Sequence, residues 1–134
     1  MKTRRFLVVV LLLFAFAAPL WAGDQAASVD LLKNRAAQGE ASAQSALGFK
    51  YVTGEGVPQD YTEALKWYRL AAAQGIAIAQ SSLGFMYYEG RGVPQDYVQA
   101  HKWFNLAAAN STGKEAHDRA VQARDDVAAR MTSA

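Results

Sequence analysis

From residue 28 onward, apolar positions come in short groups at helical spacing, and glycine-rich breaks separate the groups. Ala43, Leu47 and Tyr51 recur every four residues, which places them on one face of a helix. Gly48 sits inside that helix, where glycine costs about 1 kcal/mol relative to alanine. Its presence predicts the close approach of a neighbouring helix. Gly54 and Gly56 end the helix, and Pro58 holds the chain extended. Asp60 then predicts an N-cap, with Glu63 three residues on as in a capping box. Ala64, Trp67/Tyr68 and Ala71 form the apolar stripe of a second helix, which Gly75 ends in the left-handed conformation.

The whole unit then recurs at a spacing of 36. Ala43-Gln44-Ser45 returns as Ala79-Gln80-Ser81, and Leu47-Gly48-Phe49 as Leu83-Gly84-Phe85. Gly54-x-Gly56-Val57-Pro58-Gln59-Asp60-Tyr61 returns as Gly90-x-Gly92-Val93-Pro94-Gln95-Asp96-Tyr97. Residues 43–74 and 79–110 share 21 identities in 32 positions. A period of this length marks stacked helix-turn-helix units, none of which buries its apolar face alone. Flanking elements are therefore expected. Leu31-Leu32 to Gln38-Gly39 echoes Trp67-Tyr68 to Gln74-Gly75, so 28–38 reads as a second helix lacking its first. Lys114 to Met131 reads as a capping helix with Ala116, Ala120, Ala123/Val127 and Met131 inward. Arg119, Arg124, Asp125 and Arg130 then face water. The expected organisation is an export segment at 1–22, a repeat region at 23–110 and a cap at 111–134. Within the repeat region lie the partial helix 28–38 and repeats 40–75 and 76–110. Six helices result.

The export segment has its own pattern. Lys2, Arg4 and Arg5 precede an apolar run, Phe6 to Leu20, and Leu20-Trp21-Ala22 offers a small residue for cleavage before Gly23. This is the layout of a secretory signal peptide, and the run falls short of the roughly 20 residues that span a bilayer. A periplasmic or secreted domain is expected, with no membrane insertion after cleavage; an uncleaved anchor is the alternative.

Charge narrows the function. The full chain carries a formal net charge of +2, but without the first five residues 11 basic residues face 12 acidic ones. A near-neutral domain lacks the basic footprint of nucleic-acid binding. With no cysteine there is no disulfide, thiol nucleophile or cysteine zinc site.

The pattern Ala-x-x-x-Leu-Gly-x-x-Tyr, then Gly-x-Gly-Val-Pro-Gln-Asp-Tyr, then Ala-x-x-Trp-Tyr/Phe-x-x-Ala-Ala resembles the Sel1-like repeat family, a relative of the tetratricopeptide repeats. The resemblance covers roughly residues 28–110. It implies an all-α fold, a short right-handed α-solenoid with a C-terminal capping helix, whose concave side is lined by the first helix of each unit. It also implies adaptor or scaffold work in exported or envelope-associated bacterial proteins.

Motifs with chemical potential have structural readings. Gly54-Glu55-Gly56 and Gly90-Arg91-Gly92 lack the Lys-Ser/Thr of a phosphate loop, and Asp60 and Asp96 would occupy the anion position. Ser111-Thr112-Gly113-Lys114 fits Ser-x-x-Lys, yet the accompanying Ser-Asp-Asn and Lys-Thr-Gly elements are missing. Asn110-Ser111-Thr112 is a glycosylation triplet, read as coincidence. His101 and His117 have no acid at ligand spacing, and Asp125-Asp126 reads as a solvated face. No enzyme, cofactor or metal is expected.

By analogy with tetratricopeptide grooves, the partner-binding positions are Ser45, Phe49, Val52, Ser81, Phe85, Tyr88 and Glu89. Aromatics among small polar residues suit a docked helix or extended peptide; the competing role for Phe49 and Phe85 is packing between hairpins. The leading expectation is an exported module binding an unknown protein or peptide partner. A self-associating envelope protein and a cell-wall or beta-lactam hydrolase are the alternatives.

Overall fold

The computed structural model describes residues 27–133; the expected export segment lies outside them. Six consecutive helices and no strand occur among these residues. They are α1 (27–37), α2 (Ala41–Thr53), α3 (Tyr61–Ala73), α4 (Ala77–Glu89), α5 (Tyr97–Asn110) and α6 (Lys114–Ser133). Each helix packs on the next, which makes the chain a short α-solenoid.

Within each repeat, a glycine sets how near the two helices come. A Cβ built on Gly48 would lie 2.8 Å from the Tyr68 ring, and one on Gly84 2.7 Å from the Phe104 ring. Neither distance admits a methyl group, so only glycine lets α2 rest on Tyr68 and α4 on Phe104. Around these contacts Leu47, Ala64, Ala71, Leu83 and Ala100 are fully buried. Trp67 packs against the cluster of Val29, Ala36, Ala43 and Leu47, and Trp103 against the next cluster along, so the indoles join one repeat to its predecessor. Both indole N–H groups are buried without an acceptor among the described residues.

The loop between the helices, which differs between the repeats only at Glu55/Arg91, closes three sets of backbone groups at once. Gly54 and Gly90 take φ of 74° and 71° and end the first helices. Gln59 then donates to the Val52 carbonyl at 2.7 Å, and Gln95 to that of Tyr88 at 2.8 Å. The backbone N–H groups of Asp60 and Asp96 donate to Tyr51 and Tyr87, each at 2.9 Å. Their carboxylates cap α3 and α5, Asp60 accepting from Thr62 and Glu63 and Asp96 from Gln99. Gly92 is squeezed from outside as well: its Cβ would meet the Tyr61 carbonyl at 2.7 Å, so one loop seats on the start of the preceding α3.

Buried glutamines tie each repeat to the one before. Gln44 donates to the Ala36 carbonyl and Gln80 to that of Ala72, both at 3.1 Å, so each serves a carbonyl at the end of the preceding helix. Gln74 and Asn110 in turn donate to the Gln44 and Gln80 side-chain oxygens at 2.8 and 3.0 Å. At the start of the stack Arg35 pairs with Glu40. That hydrogen bond, with a second from Ser42, holds the Glu40 carboxyl below the usual carboxylate range.

The C-terminal helix ends the stack against α5 and also continues its pattern. His117 Nδ1 lies 2.8 Å from the Ala108 carbonyl, the same tie that Gln44 and Gln80 make, one residue later in the period. Nδ1 therefore carries the proton, and α6 stands in line with α2 and α4 as a third first helix. Where Gly54 and Gly90 stop their helices, this frame has Val127, and α6 runs on to Ser133. Ala120 and Val127 are buried as expected, whereas Ala116 and Met131 near the two ends stand in water. Arg124 is also not free: it donates to Asn105 at 3.3 Å and pairs with Asp125 at 2.8 Å.

Three expectations follow from the packing. Gly84→Ala gains about 1 kcal/mol of helix propensity but overpacks against a ring that is 1% exposed, at a cost of about 1–3 kcal/mol. Urea denaturation should show a net loss, partly recovered with Phe104→Leu. Gln80→Met leaves a buried carbonyl unpaired, so the same measurement should fall by about 1–3 kcal/mol. Burial raises the Tyr68 phenol above its ordinary value, and a hydrogen bond with Ser82 draws it part of the way back. The folded state therefore holds this proton more tightly than the unfolded chain. Its contribution is complete below about pH 10 and is lost as pH rises through the folded value. Tyr68→Phe, which copies Phe104 of the other repeat, should flatten the alkaline limb of stability against pH.

Candidate functional site

The first helices α2, α4 and α6 share one face, and hollows lie in the gaps between them. The α2–α4 gap holds a hollow of about 200 Å³, lined by Phe49 and Val52 on one side and Phe85, Met86 and Glu89 on the other. Tyr68 and Ser82 also line it, and Tyr61 and Arg91 close its rim. The α4–α6 gap holds two more, of about 380 and 280 Å³. Phe85, Phe104, Arg119 and Ala123 line both, so the two form one trough.

Phe85 is the centre of this face because it borders all three hollows. Its ring meets Phe104 edge-on, with centroids 4.9 Å apart and planes at 79°, an arrangement that aromatic quadrupoles favour. It nevertheless stays 52% exposed, and Phe49 51% exposed. Packing between hairpins therefore accounts for only half of each ring. Elsewhere the aromatics at the heart of the repeats, Tyr68 and Phe104, are closed off.

Six of the seven expected residues border these hollows. Phe49, Val52, Phe85 and Glu89 come together in the α2–α4 gap, Tyr88 joins Phe85 at the larger α4–α6 hollow, and Ser81 joins it at the smaller. Ser45 does not. It is buried beside Gln44 at the helix contact, while its counterpart Ser81 remains half-buried. The accessible hydroxyl of the α2–α4 gap belongs instead to Ser82, which donates to the Ile78 carbonyl at 2.9 Å.

Sequence reasoning also missed the contribution of α6. Arg119, Gln122, Ala123 and Asp126 line the larger hollow, although this helix was expected to turn its charges to bulk water. The signal was faint: Ala79-Gln80 reappears as Ala116-His117, shifted by one residue and with glutamine changed to histidine. A second miss is Arg91, which donates to the Tyr61 hydroxyl at 3.1 Å, lies 5.4 Å from that ring and pairs with Glu89 at 2.6 Å. That cross-repeat contact depends on the seating of Gly92 and leaves no trace in local periodicity.

The Ser-x-x-Lys segment is committed to structure. Ser111 donates to the Ala107 carbonyl at 2.6 Å, and Lys114 pairs with Asp118 at 2.5 Å. Asn110 of the glycosylation triplet spends its amide on Gln80. Among the described residues no group of three His, Cys, Asp or Glu could hold a metal ion, and no helix is long and apolar enough to cross a membrane.

Comparison with known proteins agrees with this geometry. The chain is similar to a Sel1 repeat protein from Oxalobacter formigenes, with 35% identity and a TM-score of 0.65, over 71% of this chain and 36% of that one. It is also similar to c5321, a protective antigen present in uropathogenic Escherichia coli strains displaying an SLR fold. There the identity is 45% and the TM-score 0.61, over 66% of this chain and 18% of that one. The chain thus spans about a third of the first of these structures and about a fifth of the second. No curated protein matches it. Such repeats generally mediate protein–protein interaction. The family model described as Sel1 repeat matches twice, at residues 41–76 and 77–111, which is more than half of the chain: it belongs to the Sel1 repeat family.

Proposed function

We propose that this chain is an exported protein-binding module, an adaptor or regulator that takes a helix or extended segment of a partner across the concave face formed by α2, α4 and α6. The observation that carries the reading is the pair of half-exposed rings, Phe49 and Phe85, at equivalent positions on adjacent first helices. A few large anchor residues seated in pockets near the centre of an interface carry most of its binding energy. Export rests on the charged start and apolar run of residues 1–22. The domain then acts in the periplasm or outside the cell.

Two measurements test this. A photo-crosslinker at Tyr88 of the mature chain, 23–134, should capture a protein from an envelope extract that one at exposed Lys102 does not; equal labelling from both would overturn the face. Phe85→Ser should lower that capture about tenfold or more, as loss of an interface anchor does, while circular dichroism stays helical. N-terminal sequencing of the protein from whole cells should begin at Gly23. A start at Met1 would replace export and cleavage with a retained anchor.

A further inference from the structure

We infer that the trough between α4 and α6 is an anchor site for a large apolar side chain neighboured by a lysine or arginine. The inference rests on the peptide-binding reading above and specifies its chemistry. The trough exists because α6 carries small residues where its counterparts are large: in the frame set by His117, Ala120 stands in the place of Leu83 and Ala123 in that of Met86. Its floor is Phe104, whereas the α2–α4 hollow has Tyr68 and Ser82. The second repeat therefore presents a larger cavity, about 380 Å³ against 200 Å³, backed by a phenylalanine in place of a tyrosine. Such a site suits a leucine, methionine or phenylalanine side chain better than a polar one.

Charge selects the neighbour. From Glu40 to the end of α6, Glu40, Glu55, Glu63, Glu89, Glu115, Asp118 and Asp125 are ion-paired. Asp60 and Asp96 cap helices. The remaining carboxylate is Asp126, on the rim of the larger hollow, and it accepts only from Gln122 at 2.9 Å. The nearby cations are engaged elsewhere: Arg119 pairs with Glu115, and the Arg130 guanidinium lies 5.4 Å from the Tyr88 ring centre. An apolar residue seated between Phe85 and Ala123 brings its sequence neighbour to that rim, where a cation completes the pairing.

The test is a titration of ¹⁵N-labelled 23–134 with the capped peptide Gly-Ser-Gly-Leu-Lys-Gly-Ser-Gly, read by amide shifts. The expected result is movement at Phe85, Ala123 and Val127, with affinity about threefold or more above that of the Leu-Glu peptide, as for an exposed ion pair. Asp126→Asn should erase that preference, and Ala123→Leu, which fills the trough, should abolish the shifts there. Equal affinity for the two peptides would overturn the inference, as would the absence of shifts. Movement confined to Phe49 and Ser82 would also overturn it, while leaving the general peptide-binding reading intact. The same shifts on raising protein concentration alone would make the occupant a second copy and overturn it too.

Discussion

Everything in this stack depends on how closely a first helix can lie on the aromatic ring of its second helix. Gly48 on Tyr68 and Gly84 on Phe104 set that distance, because a single added carbon would stand less than 3 Å from the ring. With the helices this close, the surrounding alanines fill the interior, and Leu47 and Leu83 are sealed from water. Protein interiors pack at near-crystalline density, so one methylene at such a contact is felt. The intrinsic penalty of glycine inside a helix is offset by the tertiary contact it permits.

Between repeats the problem is polar. Stacking hairpins buries helix ends, whose last carbonyls have no partner within their own helix. Gln44 and Gln80 meet carbonyls at those ends, and Gln74 and Asn110 hold the glutamines in place. His117 makes the equivalent bond for α6. A carbonyl at the equivalent place is thus met three times, twice by glutamine and once by histidine. It explains why the repeated sequence retains polar residues inside otherwise apolar faces.

The face of the stack is where the copies cease to be alike. Tyr68 becomes Phe104, Val52 becomes Tyr88, and α6 brings alanines and charges in place of leucine and methionine. The two gaps between first helices therefore differ in width and in the polarity of their floors. A repeat scaffold keeps its junctions constant because they carry the packing, and is free to vary the surface that meets other molecules.

Much of this was legible in the sequence. The period of 36, the turn glycines, the capping aspartates and the interior glycines each mark a local constraint that one residue type satisfies. These determine the helices, their order and the all-α stack. The aromatic positions Phe49, Phe85 and Tyr88 came from the analogy with tetratricopeptide grooves. Tertiary structure decided the rest, because it depends on neighbours distant in the chain. The burial of Ser45, the reach of Arg91 to Tyr61 and the trough opened by Ala120 and Ala123 all arise between elements. So does the place of α6: its sequence has lost the glycine and leucine signals of a repeat, and its kinship with α2 and α4 shows only in where His117 finds its carbonyl.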